Sequence, residues 1–182
     1  MADSLGIPVT YPTVNARNLN AAMDMIDGLF LPITDADNIT TILSQFAYYN
    51  IKTQLLGSAE WNNFNVLESN KPSAKGIIFC SDTYVDKGSA RIKQFGEKYF
   101  AEMRKSPTRY SMFGYDTMDL LMHIIADGNT TREQVENALM KMPVFHGLHS
   151  TLTMGPERVN NTLNILQYKE GGIKKLGEVA VH

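Results

Sequence analysis

Short apolar runs, each followed by a polar loop and an amphipathic segment, are the feature that most constrains the fold. Residues 28–33 and 76–80 are continuous apolar runs of strand length, and residues 52–58 repeat the strand signal. After the first run, apolar residues recur at helical spacing from Ile39 to Tyr49. Strands that alternate with helices predict an α/β fold, with a mainly parallel sheet flanked by helices. In such a sheet, residues 28–33 are expected to form a buried central strand.

The pattern extends to both ends of the chain. Residues 5–11 are typical of a short strand and residues 14–25 of a short helix, while Val66 and Leu67 mark another helix. From Gly88 onward three amphipathic helices are predicted, with apolar stripes formed by Ile92, Phe95, Tyr99, Phe100 and Met103, then Phe113, Leu120, Leu121, Ile124 and Ile125, then Val135, Leu139 and Met142. The third helix begins with a capping box, Thr130 and Glu133. The remainder, from Phe145, is predicted to form strands with a Gly-Gly turn.

Composition excludes several classes of protein. The chain has 182 residues, and 17 basic residues against 19 acidic ones give no positive field for nucleic acid. Its apolar runs are far shorter than the roughly 20 residues of a membrane-spanning helix. The single cysteine, Cys80, cannot form an internal disulfide and is expected to be a small buried hydrophobe. Residues 1–8 lack a basic stretch and an apolar stretch, so we expect no secretory signal in this chain.

No pattern of an enzyme, a metal site or a cofactor site emerges. Phosphate-binding glycine loops, a nucleophile elbow and a zinc-protease motif are all absent from the sequence, and the histidines are too scattered for a helical metal pair. Asp116 and Asp119 share one helix face and could serve acid/base chemistry. The favoured interpretation is that Asp116 caps or tethers backbone N–H groups. We therefore expect a protein that is not an enzyme and that carries no cofactor.

Two loops that follow predicted strands are unusually polar. In open parallel sheets, ligands bind outside the carboxyl ends of the strands. One loop contains Thr34 and Asp35, and the other contains Glu60 and Trp61. Glu60 offers a carboxylate to an ammonium group and Trp61 offers an indole face to an alkyl or cationic group. The competing interpretations are a solvated loop charge for Glu60 and a packed core aromatic for Trp61.

The order of these segments resembles the type I periplasmic ligand-binding proteins, in particular the branched-chain amino acid and amide binding components of ABC importers. The first half carries Gly28-Leu29-Phe30-Leu31-Pro32, Gln54-Leu55-Leu56-Gly57-Ser58 with Trp61, and Ala74-Lys75-Gly76-Ile77-Ile78-Phe79. The strongest similarity follows, in Phe95 to Arg104 with Pro107, Tyr110, Gly114-Tyr115-Asp116 and Leu120-Leu121, and it continues through Arg132 to Leu139 and Phe145-His146-Gly147. It covers nearly the whole chain but only the second half of the family.

The resemblance implies a two-lobe fold that is truncated here. Residues 1–84 and 148–182 would belong to the second lobe, and residues 88–147 would be the helices that return to the first. It also implies an extracytoplasmic or periplasmic location, a partner ABC permease and an amino acid or amide ligand. The ligand would lie beside Thr34 and Asp35, Glu60 and Trp61, and Tyr110 or Phe113. The chain departs from the family in having Gly57-Ser58-Ala59-Glu60-Trp61 where Gly-Ser-Asp-Gly-Trp is common, and Thr153-Met154-Gly155 in place of an F-D-x-x-G turn.

The apolar helices at 88–147 need a partner surface, because exposing each large apolar side chain costs about 1.5–3 kcal/mol. We expect them to fold back on this chain's own sheet, to swap with a second copy in a homodimer, or to pack on a half that lies outside this chain. The first functional hypothesis is a solute-binding or ligand-sensing module. The alternative is a non-catalytic structural or dimerisation domain of the same fold that regulates an envelope protein.

Overall fold

A computed structural model describes residues 26–155, 157–170 and 172–180. In chain order, the elements are β1 (Gly28–Leu31), α1 (Ala36–Tyr48), β2 (Gln54–Gly57), α2 (Phe64–Ser69), α3 (Lys71–Ala74), β3 (Ile78–Ser81), α4 (Ala90–Met103), α5 (Arg109–Ala126), α6 (Arg132–Lys141), β4 (Phe145–His146), β5 (Thr151–Leu152), β6 (Thr162–Lys169) and β7 (Gly172–Ala180). A single turn of 3₁₀ helix, Ala59–Trp61, follows β2. The strand predicted at 5–11 and the helix predicted at 14–25 lie outside the described residues.

Within the described residues, the main sheet consists of five strands in the order β1-β2-β3-β6-β7. The first three run parallel, and β6 and β7 extend the sheet as an antiparallel hairpin. Strands β4 and β5 form a separate two-stranded ladder. The architecture is a sheet of parallel strands with flanking helices and an antiparallel extension, as the alternation of apolar runs predicts.

Local sequence signals explain where the helices begin. Asp35 caps α1, since its side chain accepts a hydrogen bond from the Asp37 N–H at 3.0 Å. The capping box of α6 uses Thr131 and Gln134, whose side chains and backbone N–H groups bond reciprocally. The predicted box at Thr130 and Glu133 is therefore wrong by one residue.

One face of the sheet carries the hydrophobic core. Helices α1 and α2 and the 3₁₀ turn cover this face, and the fully buried side chains there are Ile39, Leu43, Trp61, Leu67, Ile77, Phe79, Leu166 and Tyr168. Alternate residues of β6 point into the core, as a strand with one covered face requires. Burial raises the pKa of Tyr168 to about 12, together with its hydrogen bond to Glu68.

The described residues leave the opposite face of the sheet largely uncovered, which bears on two expectations. Among the described strands, β1 lies at the edge of the sheet and not at its centre, and Phe30 on it is 58% exposed. Cys80 on β3 is only partly buried, because it points to the same open face. Both predictions assumed strands covered on two sides, whereas the described part of the chain covers only one.

The helical segment, residues 88–147, packs less completely. Phe95 contacts Tyr115 with ring centroids 4.9 Å apart, and Leu120 and Ile124 of α5 are buried. Helices α4 and α6 have no buried residue. Large apolar side chains stay exposed on α4 and α5, namely Phe100, Met103, Met118, Met122 and Ile125. Within the described residues, the segment does not bury these faces on the sheet, which leaves a second copy or a half outside this chain as the expected partner surface.

Candidate ligand-binding edge of the sheet

The loops after β1 and β2 are joined by side-chain hydrogen bonds. Ser58 donates its hydroxyl to the carbonyl oxygen of Ile33 at 2.6 Å. Trp61 donates its indole N–H to the carbonyl oxygen of Leu31 at 3.1 Å. Because these strands are parallel neighbours, both loops emerge at the same edge of the sheet. The edge is thus a single connected surface.

Trp61 supports these loops from the hydrophobic core. Its side chain is fully buried, and its ring lies against Gly57, where any Cβ atom would collide with the indole. Glycine at 57 is therefore required by the close approach of the ring. Trp61 is a packed core aromatic in this structure, and its indole shows no exposed face.

The predicted polar residues of these two loops are exposed. Thr34 and Asp35 follow β1, and Glu60 lies in the 3₁₀ turn after β2. One carboxylate oxygen of Asp35 is engaged in capping α1. The links described above bring the two loops together, so these three side chains share one edge of the sheet.

Asn62 extends the edge to the loop after β3. Its side-chain amide donates to the Ser81 hydroxyl and to the Thr83 carbonyl oxygen, each at 3.0 Å. Ser81 and Thr83 are themselves buried. The sequence places Asn62 in the polar loop of interest but carries no signal for this role, since its partners lie about 20 residues further along.

Arg109, at the start of α5, connects the helical segment to the edge. Its guanidinium pairs with Asp82 after β3, with N and O atoms 3.1 Å apart. It also lies over the ring of Phe113, 5.2 Å from the centroid. Phe113 is thus held at the junction of sheet and helices. Tyr110 is 82% exposed on α5.

Asp116 ties α5 to the loop before β5. Its carboxylate accepts hydrogen bonds from the N–H of Leu148 at 2.6 Å, the N–H of His149 at 3.3 Å and the Ser150 hydroxyl at 3.3 Å. It is also 2.6 Å from Nδ1 of His149. Asp116 is the eighth residue of α5, so it tethers a distant loop and does not cap its own helix.

The surroundings of Asp116 fix its charge. Burial acts to raise the pKa of this carboxyl, but the hydrogen bonds from His149 and Leu148 outweigh it and hold the pKa below its ordinary value. The His149 ring also packs against Phe113 in a T-shaped arrangement, with ring centroids 4.5 Å apart. These contacts form a joint between α5 and the loop before β5.

Within residues 26–155, 157–170 and 172–180, no three His, Cys, Asp or Glu side chains come together in a way that could hold a metal ion. In the same ranges, no helix has the length and apolarity needed to cross a membrane.

The fold and part of the sequence match known proteins. Residues 19–172 match the sequence profile of the family described as periplasmic binding protein. A comparison with curated proteins finds no match. The chain spans about half the length of the solved structures it matches.

Three solved structures illustrate the similarity. A leucine-binding protein from Thermotoga maritima is 18% identical, with a TM-score of 0.62 over 91% of this chain and 48% of that one. A putative branched-chain amino acid ABC transporter from Rhodospirillum rubrum is 16% identical, with a TM-score of 0.72 over 91% of this chain and 49% of that one. A solute-binding protein from R. palustris in complex with benzoate is 17% identical, with a TM-score of 0.57 over 95% and 49%.

These structures are described as binding proteins or transporter components, not as enzymes. Their fold agrees with the sheet and helix order seen here. The profile match extends over most of the chain, from before β1 to the start of β7. The chain therefore belongs to the periplasmic binding protein family.

Proposed function

We propose that the chain is the solute-binding half of an extracytoplasmic protein that binds an amino acid or amide and delivers it to an ABC permease. The observation that carries the proposal is the connected edge, on which Thr34, Asp35 and Glu60 are exposed together. In this assignment, residues 1–84 and 148–182 form one lobe. Residues 88–147 are helices of the other lobe.

The chemistry of the edge suits such a ligand. The carboxylates of Asp35 and Glu60 attract an ammonium or amide N–H group, and the Thr34 hydroxyl can donate to a carboxylate or carbonyl oxygen. Tyr110 and Phe113 supply aromatic surface to an apolar side chain. Trp61 acts indirectly, by holding the loop of Glu60 against β1 through its bond to Leu31.

The family and the ligands named for the matched structures support the proposal. One of those structures is described as a leucine-binding protein, and another as part of a branched-chain amino acid transporter. Because the chain spans about half of each, the ligand and the permease are inferred for the whole protein to which this half corresponds.

Glu60→Ala tests the site directly, with thermal unfolding measured in leucine, isoleucine and leucinamide. A ligand at 100 times its Kd stabilises a folded protein by about 2.7 kcal/mol. We expect at least one of these compounds to raise the melting temperature of the wild type and to lose that effect in Glu60→Ala. Glu97→Ala, on the exposed surface of α4, is the matched control and should respond like the wild type. A wild type that gains no stability, or a Glu60→Ala variant that responds fully, would contradict the proposal.

A second candidate function rests on the exposed stripe of α5, formed by Tyr115, Met118, Met122 and Ile125. Apolar stripes of this kind mark interaction surfaces. In this alternative, the chain is a structural or dimerisation domain, and a second copy covers the stripe. Light scattering distinguishes the two functions. The alternative requires the wild type to have twice the mass of one chain and Met118→Glu to have the mass of one chain, whereas solute binding requires neither.

A further inference from the structure

A cavity of about 320 Å³ lies beside the edge but does not include Thr34, Asp35 or Glu60. Loop residues 83–88, the start of α2, the start of β7 and Arg109 surround it. Its volume falls at the small end of the range for ligand pockets. The cavity is therefore large enough for a small molecule. It adjoins Phe113 through Arg109 and His149, but Phe113 does not line it.

Cations outnumber acids around this cavity. Lys87, Arg109 and Lys174 line it, while Asp86 is the one acidic lining residue within the described ranges. Asp86 is engaged locally, since its Oδ1 accepts a hydrogen bond from the Gly88 N–H at 2.9 Å. Arg109 is partly neutralised by Asp82 outside the cavity. The remaining positive charge favours an anion.

The cavity also has an apolar wall. Phe64, Val85 and Ile173 contribute to its lining. The ammonium of Lys87 lies 4.8 Å from the centroid of the Phe64 ring, so a cation and an aromatic surface stand side by side. A bound molecule would therefore meet charge at one end and apolar surface at the other.

His149 supplies a buried polar group at this cavity. Its side chain has no exposed area, and Nδ1 is committed to Asp116. In the part of the chain that the structure describes, Nε2 is a buried polar atom without a hydrogen-bond partner. Such atoms are rare in folded proteins and are costly to leave unpaired. His149 lines the cavity, but Nε2 itself is closed to solvent, so the ring serves as a reporter of binding there and not as a ligand contact.

From the charge and the apolar wall, we propose that the cavity is a second binding site, for a small carboxylate with an aromatic or branched aliphatic body. The carboxylate lies toward Lys174 and Arg109, and the apolar body lies against Phe64 and Ile173. This site does not depend on the proposed solute site at Glu60.

The test is a calorimetric titration with three probes of similar shape: benzoate, the neutral benzamide and the cationic benzylamine. Lys174 is exposed on β7, so Lys174→Glu reverses one cavity charge without disturbing the core. Lys93→Glu, on the exposed surface of α4, makes the same change of charge elsewhere. The ring resonances of His149 report whether the probe reaches the cavity.

We expect benzoate to bind the wild type at least tenfold more tightly than benzamide or benzylamine and to shift the His149 resonances. Lys174→Glu should weaken benzoate binding at least tenfold, whereas Lys93→Glu and Glu60→Ala should change it less than twofold. The proposal is overturned if benzoate does not bind, if benzamide binds equally well, or if Lys174→Glu has no effect. A loss in Glu60→Ala would place benzoate at the strand edge and would also overturn it.

Discussion

The sheet and the helical segment differ in how fully they bury their apolar side chains. The core face of the sheet buries a tryptophan, a tyrosine, a phenylalanine and several aliphatic residues completely. Helices α4 and α6 bury none, and Met118 and Met122 on α5 are 59% and 61% exposed. The sheet region holds its core within this chain, whereas the helices present surfaces suited to a partner layer. This difference is one reason for the proposal that residues 88–147 belong to a different lobe.

The largest effect should come from the core of the sheet region. Trp61→Ala removes the largest fully buried side chain and its bond to Leu31. We expect the free energy of unfolding to fall by about 3–5 kcal/mol, the usual cost of truncating a buried tryptophan. Unfolding in guanidinium chloride measures this fall in free energy. Tyr110→Ala, which changes an exposed aromatic residue on α5, is the control. A loss below about 1 kcal/mol would show that the sheet core is looser than the structure indicates.

An intermediate effect should come from the joint between the two regions. Asp116→Asn removes the charge that accepts bonds from Leu148, His149 and Ser150. Hydrogen bonds to a charged group contribute about 1.5–3 kcal/mol, so we expect a loss of about that size. Asp127→Asn, an exposed residue just after α5, should change stability little. Equal effects of the two substitutions would contradict the role of Asp116 as a tether.

The same joint predicts a pH dependence. The folded-state pKa of Asp116 is lowered, so its charged form adds stability above the ordinary carboxyl pKa of about 4. That contribution is lost as the pH falls through the folded-state value. Urea unfolding between pH 3 and 7 should therefore show a smaller acid loss in Asp116→Asn than in the wild type. If Asp116→Asn and the wild type lose the same free energy of unfolding between pH 7 and pH 3, the joint does not hold this carboxyl ionised.

The smallest effect should come from the exposed stripe of α5. Met118→Ala changes an exposed side chain, and surface substitutions usually stay within about 0.5 kcal/mol. Leu120→Ala, two residues along the same helix, changes a buried one and should cost about 2–5 kcal/mol. Thermal unfolding of the two variants compares the faces of α5 directly. Similar losses would show that the stripe is covered in solution, as the dimerisation alternative requires.

Local sequence signals predict the elements better than they predict the surroundings of those elements. The capping role of Asp35 is of the kind that local sequence can indicate, because capping acts within one helical turn. The box of α6 was displaced by one residue because Thr130-Thr131 and Glu133-Gln134 satisfy the same pattern in two registers. The edge position of β1 could not be read from residues 28–33, since an apolar run does not report which strand lies beside it.

At the candidate site, too, the sequence predicts the position of residues better than their tertiary contacts. The sequence locates the polar loops after β1 and β2 and predicts a ligand contact for Trp61, with a packed core aromatic as the competing interpretation; the structure shows Trp61 buried. The sequence could not choose between the two interpretations, because the choice depends on contact with Gly57 and Leu31. The Arg109–Asp82 pair and the His149 partner of Asp116 join residues about 30 positions apart, and such pairs leave no local pattern.

Hydrogen exchange measured by mass spectrometry, with and without the compound that raises the melting temperature, tests the central claim most directly. If the edge formed by the loops after β1 and β2 binds the solute, exchange will slow in peptides that cover residues 33–35 and 58–62. Exchange in the exposed stripe of α5, residues 115–125, will not change. Protection confined to residues 115–125, or no protection at the edge, would contradict the account.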